Sequence, residues 1–120
     1  MKSITTFDIQ AYSKDAQREG LAFCKNTILY GLYDGDNLVG FSGILYFKSK
    51  AVIKNHYVLP QYRRMGYFRK MLTFCLELIR SQGFTVIEAT CTPQSLDEYL
   101  SRGFLRVVTY QKYVKVRLVD

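Results

Sequence analysis

Val58-Leu59-Pro60-Gln61-Tyr62-Arg63-Arg64-Met65-Gly66-Tyr67-Phe68-Arg69-Lys70 joins a strand to a helix through a basic turn, and the rest of the chain is arranged around it. It starts as the apolar end of a strand, turns at Pro60, and becomes a basic loop with one glycine. From about Met65 to Gln82 the chain reads as a helix. Met65, Phe68, Met71, Leu72, Cys75, Leu76 and Ile79 recur at three- and four-residue steps along one face. Gly83 is the expected C-cap. A strand, a basic glycine-containing turn and a helix N-terminus together make an anion site. The first-turn amides have no intrahelical acceptor, and the helix dipole places about half a positive charge there. Phosphate is a natural ligand for that arrangement.

Working outward, Phe84 to Thr90 reads as a strand, so strand, helix and strand form a parallel crossover unit. Pro93 introduces a short helix, about Gln94 to Ser101, closed by Gly103. Phe104 to Val119 is β-rich and reads as two strands. On the N-terminal side, Ala51 to Leu59 is the strand that feeds the loop. Thr27 to Tyr33 and Leu38 to Phe47 are joined by Asp34-Gly35-Asp36-Asn37, a strong hairpin turn. Gly40 and Gly43 inside the second of these strands suit a bulge or close packing. Met1 to Phe7 reads as a short first strand. Asp8 to Phe23 reads as helix, with Asp8 as N-cap and Gly20 interrupting or ending it. The whole is a single α/β (α+β) domain over residues 1–120: one mixed, mostly antiparallel sheet flanked by helices.

Composition narrows the function classes. A chain of 120 residues with 48% apolar and 22% charged residues can bury a core without staples. No apolar run is long enough to span a membrane, and Met1 to Phe7 lacks the apolar core of a secretory signal. Cys24, Cys75 and Cys91 are odd in number without CxxC spacing, and His56 is the only histidine, so no metal site is expected. A reducing, cytoplasmic setting is expected. The net charge of +7 means either solubility or an anionic partner such as a nucleotide cofactor or a nucleic acid.

Val58-x-Pro60-x-Tyr62-Arg63-Arg64-Met65-Gly66-Tyr67-Phe68 resembles the acetyl-CoA signature of the GNAT (GCN5-related) N-acetyltransferases, V-x-P-x-Y-R-x-x-G-x-G/A. Tyr99-Leu100-Ser101-Arg102-Gly103-Phe104 resembles the family's Y-x-x-x-G-F segment, in the expected order and on the expected elements. The resemblance covers about Thr27 to the C-terminus. It implies a GNAT-like fold in which the strand ending at Val58 splays from Phe84–Thr90, with the pantetheine arm of acetyl-CoA in the gap. The Val58 amide would polarise the thioester. The backbone from Arg64 through Met65, Gly66 and Tyr67 to Phe68 would wrap the pyrophosphate, and Arg63 and Arg64 would add charge. Tyr99 would protonate the leaving thiolate. The acceptor is an amine of a small molecule, a protein or an RNA-linked group. Oligomeric state is open, a homodimer among the options.

Several residues carry two readings. Phe68 stands where the family has Gly or Ala; it either packs inward with the helix stripe or crowds the cofactor. Val52 and Thr92 replace residues that many members use, a carboxylate and an Asn. His56 either accepts the amine's proton or is a satisfied histidine filling a site that is usually apolar in the family, and the second is favoured. The rival functions are a GNAT fold kept for binding or assembly without turnover, and a basic nucleic-acid-binding module. No recognisable RNA-binding motif supports the latter.

Overall fold

The computed structural model describes residues 1–4 and 26–120, so the helix expected over Asp8–Phe23 and Cys24 lie outside the described residues. Described are β1 (Lys2–Ile4), β2 (Ile28–Asp34), β3 (Asn37–Tyr46), β4 (Ala51–Val58), a 3₁₀ turn (Pro60–Tyr62), α1 (Tyr67–Ser81), β5 (Val86–Cys91), α2 (Leu96–Ser101), β6 (Leu105–Thr109) and β7 (Val114–Val119). The seven strands form one sheet in the order β1-β2-β3-β4-β5-β7-β6. Every pairing is antiparallel except β4 with β5, which the α1 crossover makes parallel.

The α1 stripe packs as its spacing predicts, with Met71, Leu72, Cys75, Leu76 and Ile79 buried on the sheet. The N-terminal end of that prediction shifts. The helix begins at Tyr67, not Met65, and Met65 is 63% exposed. The reason is the backbone: Arg64 (φ 66°) and Gly66 (φ 83°) are both left-handed, which a helix cannot continue through. At Gly40 the requirement is space. A Cβ there would sit 2.8 Å from the Tyr57 carbonyl oxygen and 2.9 Å from Met71 Sδ, so only glycine lets α1 lie this close to β3.

The β3–β4 ladder slips by one residue. Gly43 pairs with Lys54 but Phe41 with Tyr57, leaving Asn55 and His56 opposite Ser42. Asn55 carries the left-handed conformation (φ 57°) of such a bulge, one that asparagine tolerates. The slip changes which side chains face α1. Ala51 and Ile53 pack in the core beneath α1, and simple alternation would continue with residues 55 and 57. Instead His56 and Val58 meet α1, while Tyr57 packs with Leu29, Phe41 and Leu59 in a separate cluster. Among the described residues, no helix is long and apolar enough to cross a membrane.

Candidate active site

β4 and β5 pair at three positions only: Ala51 with Ile87, Val52 with Glu88, and Ile53 with Ala89. Beyond Ile53 the ladder stops, so the C-terminal half of β4 presents an edge inside the sheet. The direction of that edge follows from its other neighbour. The Leu59 amide donates to the Val39 carbonyl at 3.0 Å, which makes Val39–Leu59 a hydrogen-bonded pair and Gly40–Val58 a non-bonded one. In the antiparallel pattern the N–H and C=O of Val58 therefore turn away from β3, toward β5 and the gap. Arg63 Nε donates to that carbonyl at 2.9 Å, and its guanidinium lies 5.2 Å from the centre of the Tyr57 ring. Arg63 is thus turned back along β4; both Arg63 and Arg64 are exposed.

At the end of the gap lies the N-terminus of α1. Its first bond into the cap is Lys70 N–H to the Gly66 carbonyl at 3.1 Å, and among the described residues the amides of 64–69 have no backbone acceptor. The first turn holds no acidic residue and no side-chain cap. Arg69 and Lys70 there oppose the helix dipole, an arrangement that an anion would relieve. Left-handed residues at Arg64 and Gly66 curl this backbone into a concave run of N–H groups. Gly66 leaves open space where a side chain would stand. Val58, Arg64, Met65, Gly66, Tyr67 and Phe68 are thus brought to one place.

Tyr99 reaches the same region from α2. That short helix is pinned to α1 by Arg102, which donates to Thr73 Oγ1 at 2.8 Å and to the Arg69 carbonyl at 3.2 Å. Gly103 (φ 93°) turns the chain so that Phe104 N–H closes onto the Tyr99 carbonyl at 3.2 Å. Tyr99 is 1% exposed, and its hydroxyl makes no hydrogen bond to a described residue. Its ring lies edge-on to Phe104 and Phe68, with centroids 5.3 and 5.8 Å away. Burial, then the Cys91 and Cys75 thiols, push its pKa well above that of an ordinary phenol. Tyr99 is therefore protonated at neutral pH, as a proton donor must be.

Phe68 is half-buried and touches both core clusters around α1. Its ring stands edge-on to His56 at 4.4 Å and to Tyr99 at 5.8 Å, and those two rings are themselves 6.4 Å apart, so the three pack as a triangle. His56 keeps some accessible surface, yet burial lowers its pKa to about 4, against a hydrogen bond to the Phe68 carbonyl that raises it. Val52 is buried, and Thr92 Oγ1 pairs with Ser95 Oγ at 3.2 Å.

Two groups escaped the sequence reading. Ser42 is fully buried and hydrogen-bonded to His56; its signal was a polar residue between two strand glycines. Glu88, 2% exposed, gathers Lys50 at 2.9 Å, Arg117 at 2.6 Å and Lys115 at 3.4 Å. Burial alone would raise its pKa, but these cations hold it down at about 2. Nothing in a local window marks that cluster.

A mixed sheet whose one parallel pair opens toward a free helix N-terminus defines the class: the acyl-CoA N-acyltransferase architecture. The model of the acetyltransferase (GNAT) family matches residues 2–104, and the chain belongs to that family. No relative among the curated proteins matches the sequence. Among solved structures, it is similar to the ribosomal-protein-S18-alanine N-acetyltransferase of Escherichia coli (TM-score 0.81, 17% identity, covering 98% of this chain and 91% of that one). An acetyltransferase of Bacillus subtilis in complex with CoA gives TM-score 0.75 at 17% identity, covering 98% and 94%. The PaiA N-acetyltransferase of Thermoplasma acidophilum, in complex with coenzyme A, gives 0.70 at 16%, covering 79% and 62%. At these identities the likeness is one of fold.

Proposed function

We propose that this protein is an N-acetyltransferase that moves the acetyl group of acetyl-CoA to an amine by direct attack. The observation that carries this reading is the Val58 amide, turned into a gap that ends at the amides of residues 64–69, which have no backbone acceptor among the described residues. Acetyl-CoA supplies an activated thioester. The free edge of β4 binds the pantetheine amides as a missing strand would, and the 64–68 backbone holds the pyrophosphate. The Val58 N–H donates to the thioester oxygen as charge builds there. The amine nitrogen forms its bond to the carbonyl carbon while the C–S bond breaks, and the Tyr99 phenol gives its proton to the departing sulfur. The proton shed by the amine passes to water. No covalent enzyme intermediate is required.

Calorimetric titration with acetyl-CoA tests the cleft before any acceptor is known, and binding is expected. Release of free thiol on addition of a panel of amines then tests turnover. Absence of binding would overturn the reading. Phe68 supports one rival, a GNAT fold kept for binding without turnover, because its bulky ring packs against both His56 and Tyr99 where the family has Gly or Ala. Acetyl-CoA binding without thiol release from any amine, together with tighter binding in Phe68→Ala, is the result that rival expects.

A further inference from the structure

A buried polar chain runs beside the gap, and the transfer step above does not use it. Ser42 Oγ lies 2.8 Å from His56 Nδ1, and the Cys75 thiol approaches the same oxygen at 3.4 Å. At the other end, His56 Nε2 lies 3.2 Å from the carbonyl oxygen of Phe68. For a neutral ring, only one placement of hydrogens satisfies every contact. A carbonyl can only accept, so Nε2 carries the hydrogen. The neutral ring then has its lone pair at Nδ1, which takes the single hydrogen of Ser42. The Ser42 oxygen is left to accept from the Cys75 S–H.

We infer that Ser42 is a positioning residue: it fixes His56 as a neutral Nε2–H donor that ties the β4 bulge to the first turn of α1. The imidazole is thereby withheld from proton transfer, and its work is to hold the Phe68 carbonyl. The turn so held carries the amides assigned to the pyrophosphate, so the proposal rests on the acetyltransferase reading for its consequence, though not for its chemistry.

The β4 bulge is what makes the tie possible, because without it His56 would point to the other side of the sheet. Protonating the ring would place a hydrogen between Nδ1 and Ser42. The Ser42 hydroxyl hydrogen would then lose Nδ1 as its acceptor, and that loss falls in a buried site. Among the described residues, the groups facing this chain add no charge. They are Ser42 from β3, Cys75 and the Phe68 ring from α1, and Tyr99 from α2, with Cys91 of β5 behind it. Burial raises the pKa of Cys75, to about 11, and those of Cys91 and Tyr99.

His56 is the only histidine, so ¹⁵N-histidine labelling gives a single imidazole spectrum that needs no assignment. The expected spectrum is a neutral ring with hydrogen on Nε2, unchanged from about pH 8 to about pH 5, below the ordinary histidine value of about 6.5. In Ser42→Ala the freed Nδ1 should titrate at higher pH and the tautomers should mix. Acetyl-CoA should bind about three- to tenfold more weakly, the worth of one hydrogen bond. Ser42→Thr, which keeps the hydroxyl, should restore the tautomer. Hydrogen on Nδ1, or titration near about 6.5 in the unaltered protein, would overturn the inference. So would a Ser42→Ala variant with unchanged affinity and a new pH-dependent loss of kcat, the mark of a base. Failure of acetyl-CoA to bind the unaltered protein sinks the transferase reading instead, and leaves the spectrum standing.

Discussion

The two ends of the β4–β5 pair are built from the same strands and do opposite things. At one end, Ala51 and Ile53 face Ile87 and Ala89, all buried to 1% exposure or less under α1. On the reverse face of that end, Glu88 binds three cations. At the other end the ladder is missing, and Val58, His56, Phe68 and Tyr99 surround the gap. One inserted residue at Asn55 separates the two. It ends the regular alternation of β4 and brings His56 and Val58 to the α1 face. The lesson is that a strand can be core at one end and site at the other without any change in composition. The closed end supplies the stability that lets the open end leave backbone groups unpaired.

The sharpest way to break this comparison is Tyr99→Phe. The ring is kept, so packing against Phe104 and Phe68 should survive, while the proton donor is lost. The expected result is a fall in kcat of about 10²- to 10⁴-fold with acetyl-CoA affinity nearly unchanged. Full activity across the pH range would show that the thiolate leaves without Tyr99.

At the closed end, Ile53→Ala should cost about 2–5 kcal/mol in chemical denaturation, because the site is 1% exposed and cannot collapse around the lost atoms. Phe68→Ala should cost less than the roughly 3–5 kcal/mol of a fully buried phenylalanine, since Phe68 is only partly buried. Equal losses at the two positions would erase the distinction between the ends.

The cofactor turn gives a smaller contrast. Gly66→Pro deletes an amide and forbids φ 83°, so acetyl-CoA affinity should fall at least about tenfold. Arg64→Ala removes one exposed charge and should cost about 1 kcal/mol or less. Calorimetry on both variants compares them, and equal small losses would argue against a backbone cradle.

Acid titration separates the ends by pH window. His56 is lowered to about 4, so the unfolded chain binds its proton first, and stability is lost as pH falls from about 6.5 toward about 4. Glu88 is lowered to about 2 from an ordinary value of 4.5. Its contribution is present above about 4.5 and lost as pH falls toward about 2. Denaturation midpoints against pH should lose the upper slope in His56→Gln and the lower slope in Glu88→Gln. A single window removed by either variant would mean the two groups titrate together.

Local sequence was enough for the described elements from Thr27 onward, the α1 stripe, the basic glycine turn and the position of Tyr99 before Gly103-Phe104. These are local or periodic signals, readable within one or two turns of chain. It also marked the glycine at 66 as the residue the loop needs, because a left-handed backbone there has a residue-type signature. The rest came from the folding of distant segments onto one another. The one-residue slip at Asn55 is a relation between two strands, and no spacing within either announces it. The Ser42–His56–Phe68 tie joins residues 14 and 12 positions apart in sequence, and the Glu88 cluster joins residues up to 38 apart. Met65 fitted the helical stripe but fell outside it, because two left-handed residues displaced the helix start. Hydrogen bonding and charge pairing depend on which groups the folded chain brings within about 3 Å, and that is set by register rather than by sequence spacing.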